Sequence, residues 1–261
     1  MLGIRSLTTT VLYLFVAWQL SAQEQKTTYT LTDWFPYGWE QDGEPRGFLV
    51  ELALALDEGT GMDSAIALAP VSRVIHLMKS GQYDLSIIFR GDKLEDKVDH
   101  LLSFACIRTV VISLKNKPVR LLEDMNGLRV AFSNSGYFIN NQRPDLEIEG
   151  VQVSSPAMMF RMLLRGRIQA FVTDEAVLAA YRANLHEDYS LSEDDWSLIA
   201  EPYFLDALEL TLAVPKSKQI VPMKQRLAGI ADNPDVRAKV QSIFNRYGLT
   251  QATACLDNRV K

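Results

Sequence analysis

The chain has 261 residues, with 27 Lys and Arg against 32 Asp and Glu, a net charge of −5. The charges are scattered and form no basic run, which argues against nucleic acid or an anionic membrane surface as partner. Two cysteines and three dispersed histidines (His76, His100, His186) form no zinc pattern, so no metal and no cofactor are expected.

Met1 to Ala22 is read as a secretory signal peptide: one basic residue, Arg5, a short apolar run from Val11 to Trp18, and the small residues Ser21 and Ala22 before Gln23. The run is too short to span a membrane, which takes roughly 20 apolar residues. An exported chain, placed in the periplasm, meets an oxidising compartment. Cys106 and Cys255 are then either a disulfide or two separate thiols, and the sequence leaves both open.

From Gln23 onward, strand and helix patterns alternate. Tyr29 to Thr32 is a short β-rich run. An aromatic loop follows, Trp34, Phe35, Pro36, Tyr37 and Trp39, then a polar turn at Asp42-Gly43. Phe48 to Asp57 has helical apolar spacing and is closed by Gly59-Thr60-Gly61. Ser64 to Leu68 reads as a strand, Val71 to Lys79 as a helix ending at Ser80-Gly81, and Asp84 to Phe89 as a strand core. This order implies a parallel α/β sheet with helical crossovers.

A second unit repeats the pattern. Gly127 to Phe132 is a strand, Ser155 to Arg165 a helix stopped by Gly166, Gln169 to Thr173 a strand, and Asp174 to Asn184 a helix. Thr109 to Leu114 and Leu208 to Val214 are β-rich runs that could carry the chain between two lobes. Val221 to Gly229 and Pro234 to Tyr247 are closing helices. Ligands of such α/β proteins sit in the cleft at the carboxyl ends of strands.

Four segments carry a family resemblance: "WFPYGWEQDGEPRGFLVELALAL", "PVSRVIHLMKSGQYDLSIIF", "GLRVAFSNSG" and "LRGRIQAFVTDEAVLAAY". In order and spacing they resemble bacterial periplasmic solute-binding proteins of the amino-acid type (family 3), over roughly Thr30 to Leu249. The resemblance implies an α/β, two-lobed type II periplasmic-binding-protein fold with a ligand cleft between the lobes. Lobe I would comprise 23–113 and 207–261, and lobe II 114–206. It implies a monomeric receptor that captures a small polar molecule, an amino acid or a related compound, by lobe closure. The molecule would pass to the permease of an ABC-type transporter or be read by a membrane sensor protein.

By that resemblance, Trp34 and Tyr37 of the aromatic loop face the ligand, with Phe35 and Trp39 left to the core. Phe89, Arg90 and Gly91 follow the strand whose end lines the cleft, and Ser135 and Gly136 offer backbone amides to an anion. Asp174 would pair with a ligand ammonium, although Asp is also a preferred helix N-cap. The sequence departs from the family at one place. Asp96 stands where an Arg normally grips a ligand carboxylate, leaving Arg73, Arg90 or Arg108 as replacements. An enzyme of dehydratase type on the same scaffold is the third reading. Glu51, Asp84, Asp174 and Glu175 are the available acids, but no motif pairs them with a nucleophile.

Overall fold

The computed structural model describes residues 26–91, 94–133, 145–185, 190–218, 221–230 and 233–249. The expected signal peptide, 1–22, lies outside the described residues.

Strand β1 (Thr27–Thr32) pairs in parallel with β4 (Ser64–Ala69), Thr27 opposite Ser64. A bridge from Tyr29 to Leu85 carries this pair on to β5 (Ser86–Phe89). Strand β5 pairs antiparallel with β10 (Tyr203–Pro215), and β10 with β6 (Val98–Ser113). A small hairpin, β2 (Trp39–Gln41) and β3 (Glu44–Arg46), turns at Asp42 (φ 55) and Gly43 (φ 77). Two successive positive φ values suit the right-handed twist of a two-residue hairpin, which explains Asp-Gly there.

Alternation along the strands divides the core into layers. Ile87 and Leu212 point to one face, into a cluster with α1 (Phe48–Thr60) and α7 (Pro234–Arg246). Their neighbours Ile88 and Ala213 point to the other, where Val74 and Met78 of α2 (Val71–Lys79) cover them. Helix α6 (Val221–Ile230) packs beside α1. Helix α1 ends at Gly61, whose left-handed φ of 68 lets its N–H return to Asp57 O.

The second lobe hangs on the same two long strands. From Thr109 on, β6 pairs with β9 (Ala170–Asp174), and β7 (Arg129–Ser133) and β8 (Glu149–Val153) complete the sheet. Ile112, Phe171 and Val177 share a cluster with α3 (Pro156–Leu164), α4 (Glu175–Arg182) and Trp196 of α5 (Glu193–Leu198). Val111, Val130 and Val172 face away, onto Val119, Met125 and Leu128. Strand β6 therefore serves two cores: Ala105 and Ile107 in the first, Val110 and Ile112 in the second. Its ladder with β10 is broken by shifts at Phe204/Asp206 and Leu210/Thr211, on either side of the crossover. Strand irregularities of this kind bend a sheet locally.

The helix and strand expectations hold to within a few residues, and Val71–Lys79 to the residue. The two β-rich runs at 109–114 and 208–214 prove to be parts of strands of 16 and 13 residues. The hairpin strands β2 and β3, strand β8 and helix α5 were not foreseen.

Candidate functional site

The aromatic loop is built around a tight turn. Trp34 N donates to Gly38 O at 2.9 Å, and Tyr37 N to Trp34 O at 2.7 Å. The loop's own carbonyls then finish helix α1. Phe48 N donates to Pro36 O and Leu49 N to Tyr37 O, each at 2.9 Å. The N-cap of α1 is Gly47, with no side chain to satisfy these amides. A helix leaves its first amides without partners inside the helix, and here the loop supplies them. That capping fixes where each ring points.

Tyr37 turns inward. It is 3% exposed and packs edge-on against Phe89, with centroids 5.6 Å apart, and beside Phe48 at 6.1 Å. Phe35 turns the other way, into the core of the second lobe. It sits edge-on to Tyr181 of α4 at 5.7 Å and 5.2 Å from Trp39. Trp34 is half-buried between the two clusters and touches both. Phe35 and Trp39 are thus core residues, as expected, but they pack against the second lobe.

Opposite the loop stands Asp174, at the carboxyl end of β9 and the start of α4. Its Oδ1 accepts from Val177 N at 3.1 Å, so it is the N-cap of α4. It keeps some exposed surface yet is densely surrounded, as a group on a cleft floor is. Burial pushes its carboxyl up to about 6, against the pull of the Tyr37 hydroxyl and the Val177 and Ala176 amides. Burial raises the Tyr37 phenol well above its ordinary range, and the Asp174 carboxylate lies close enough to raise it further. The phenol completes no hydrogen bond of normal geometry. Ala176, the second residue of α4, lies in the same buried cluster as Tyr37, which brings the two lobes into contact here.

Next to Asp174, the Glu175 carboxylate holds Arg108. Arg108 Nε donates at 2.8 Å and its backbone N at 3.0 Å. Sequence reasoning had not linked these two. Their adjacency follows from the ladder, in which Thr109 faces Asp174.

The other predicted site residues separate. Arg90 is exposed, its guanidinium closed by Glu95 (3.2 Å from Nε, 2.5 Å from Nη2) and by Glu209 at 3.4 Å from Nη1. Gly91 is exposed, with open space where a Cβ would stand. Arg73 lies on the exposed side of α2. Asp96 pairs with Lys97 at the surface. Ser135 and Gly136 lie outside the described residues. Cys106 is disulfide-bonded, and Cys255 also lies outside them. Of the acids considered for catalysis, Glu51 accepts from Tyr247 Oη at 2.9 Å and pairs with Arg246. Asp84 accepts from Thr28 N and Oγ1 and from Lys218 Nζ. Burial works against its ionisation, but these bonds prevail and hold it below the usual carboxylate range. Both acids bind elements of the first lobe together.

No family model and no curated protein sequence matches the chain. Solved structures do. A histidine kinase sensor domain with similarity to periplasmic binding proteins superposes with a TM-score of 0.65 at 20% identity, over 87% of this chain and 95% of that one. The chain has the two-lobed type II periplasmic-binding-protein fold. The arginine-, lysine- and histidine-binding protein ArtJ of Geobacillus stearothermophilus matches with a TM-score of 0.66 at 18% identity, over 85% and 95% of the two chains. The GluR0 ligand-binding core of Nostoc punctiforme, in complex with L-glutamate, matches at 0.67 and 17%, over 85% and 99%. Strands β6 and β10 run through both halves of the sheet, and Asp174, at the end of β9, neighbours Tyr37 of the aromatic loop.

Proposed function

We propose that the protein is an extracytoplasmic solute-binding protein that closes its two lobes on a small polar molecule bearing an amino group. Lobe I is residues 23–113 and 207–261, and lobe II is 114–206. Trp34 and Phe89 supply aromatic surface from lobe I, backed by the buried Tyr37, and Asp174 supplies the counter-charge from lobe II. The observation that carries this reading is the Asp174 carboxylate on the cleft floor. Among the described residues no cation is paired with it, its pKa is raised by burial, and a buried phenol from the opposite lobe is turned toward it.

The bound molecule is handed to an ABC-type transporter or read by a membrane sensor. Binding proteins and sensor domains both stand among the similar structures, which supports either outlet for the same site. No chemistry is assigned, since Glu51 and Asp84 are held in structural ion pairs and Asp174 has no nucleophile beside it among the described residues.

The test is a thermal-shift panel of amino acids, amines and small dicarboxylates, run on wild type and Asp174→Ala. A ligand at about 100 times its dissociation constant adds roughly 2.7 kcal/mol to the wild type. The variant should stay folded and lose the shift. A variant that melts much lower yet binds normally would show Asp174 to be a helix cap alone.

A further inference from the structure

Helix α4 belongs to lobe II, yet lobe I holds it along its length. At its N-cap, the buried Tyr37 phenol is turned toward the Asp174 carboxyl and helps to keep it ionised against burial. In the first turn, Ala176 lies in the lobe I cluster with Tyr37 and Phe48. One turn further, Ala179 meets Gly248, which follows α7: a Cβ added to that glycine would stand 2.8 Å from the Ala179 Cβ. Near the end of the helix, Tyr181 takes the edge of Phe35 at 5.7 Å.

Phe35 reaches deepest. It comes from the loop after β1, but it is 4% exposed and sits in the lobe II cluster with Ile112, Phe171 and Trp196. Tyr181 continues the aromatic stack to Phe160 at 4.6 Å, and Phe160 to Phe171 at 4.9 Å. The loop that carries Phe35 is fixed to lobe I, because its Pro36 and Tyr37 carbonyls cap α1. The ring therefore cannot stay in lobe II while lobe I swings away. Parting the lobes about β6 and β10 withdraws it and exposes apolar area on both sides, which opposes the motion. It also separates Tyr37 from Asp174. Packed interfaces of this kind hold discrete arrangements and do not deform continuously.

We infer that the aromatic loop is a latch: Phe35 in lobe II and Tyr37 on Asp174 hold the lobes together through the protein's own contacts, so the closed arrangement is the resting state and a ligand is admitted through a minor, open one. The apparent dissociation constant is then the intrinsic one divided by the open fraction, so the strength of the latch sets the affinity. This rests on the binding-protein reading above and adds the gating of its site.

The test is small-angle X-ray scattering on protein freed of small molecules by unfolding in guanidinium and refolding with the disulfide intact, its bare mass checked by native mass spectrometry. Wild type should scatter as compactly as the structure does. Phe35→Ala should stay folded by circular dichroism, with a larger radius of gyration and faster hydrogen exchange in α4. Phe160→Leu is the control. It thins the same cluster from within lobe II, so it should melt lower than wild type and keep the wild-type radius. Should Phe35→Ala not fold, Phe35→Leu is read in its place, with a smaller expansion in the same direction. Wild type more extended than the structure would overturn the inference, as would a Phe35 variant with the wild-type radius. Equal expansion in the Phe35 and Phe160 variants would mean a general loosening of lobe II and would overturn it too. None of these results bears on the binding-protein reading, which falls instead if the thermal-shift panel stays silent.

Discussion

Asp174 carries two loads that pull stability in opposite directions. As N-cap it satisfies the Val177 amide, and a good cap is worth about 1 kcal/mol. As a buried carboxylate, with no cation paired with it among the described residues, it is held near 6, above its value in the unfolded chain, about 3.9. Between those two values the folded state binds more protons than the unfolded one, so this group's contribution to stability falls as pH rises from about 4 to about 6 and stays low above that. Asparagine caps as well as aspartate but carries no charge. Asp174→Asn should therefore raise the melting temperature at pH 7.5, by the equivalent of roughly 1–2 kcal/mol, and should give no gain at pH 4. A gain of equal size at both pH values would mean that the charge is not the cause. Arg90 makes the opposite case. Its ion pairs are exposed, and exposed pairs contribute about 0–1 kcal/mol. Arg90→Ala should shift the melting point by less than a few degrees and leave ligand affinity unchanged. A ten-fold loss of affinity would show that Arg90 leaves its carboxylates to bind ligand.

At the scale of the element, the aromatic loop and helix α1 are one unit, because the Pro36 and Tyr37 carbonyls cap the helix. The joint is Gly47, with φ 124, where an added Cβ would stand 2.5 Å from Tyr37 O. Gly47→Ala strains the backbone and pushes the loop off the helix, at a cost of roughly 2–3 kcal/mol. It should also weaken ligand binding, since Tyr37 moves with the loop. Gly91→Ala, in open space, is the control and should be neutral in both assays. If the two variants melt alike, the capping contact does not hold the loop. Much of this unit was legible in the sequence. The apolar spacing of α1, its Gly61 stop and the Asp42-Gly43 turn all follow from local chemistry. The destination of Phe35 was not, because its partner Tyr181 is distant in the chain and any aromatic on a loop before an apolar helix reads as core of that helix. The full length of β6 was hidden for a similar reason. Its first half is mostly partly exposed, with only Val98 and Ala105 buried, and its second half is nearly all buried, so only the second half reads as a strand. Strand β8 offers two apolar residues, and α5 buries only Trp196, too little pattern for either to stand out. At the site, Asp174 was visible as an acid at a strand end. The Arg108–Glu175 pair required the β6–β9 register, which a sequence does not print.

The whole molecule moves, on this reading, about β6 and β10, so any covalent tie near their crossover bears on closure. Cys106 is disulfide-bonded and sits on β6 opposite Glu209, three residues before that strand begins to pair with β9. It therefore belongs to the lobe I end of the crossover. The chain has one other cysteine, Cys255, nine residues beyond the end of helix α7 at Arg246, a helix that packs on α1. We propose that the bond joins these two. Such a bond closes a long loop through the second lobe, and by the lobe division proposed above both its ends belong to the first. It should stabilise the fold without restraining the hinge. Unreduced, denatured protein should then take up no thiol reagent, and reduced protein should take up two equivalents. Reduction should lower stability by about 2–4 kcal/mol, a fall of roughly 5–15 °C for a chain of this size, while ligand affinity at 25 °C stays within two-fold. Two reactive thiols before reduction would dismiss the pairing. A large loss of affinity on reduction, with the fold intact, would mean that the tie acts across the cleft, and the division of the chain into lobes at the β6 crossover would have to be redrawn.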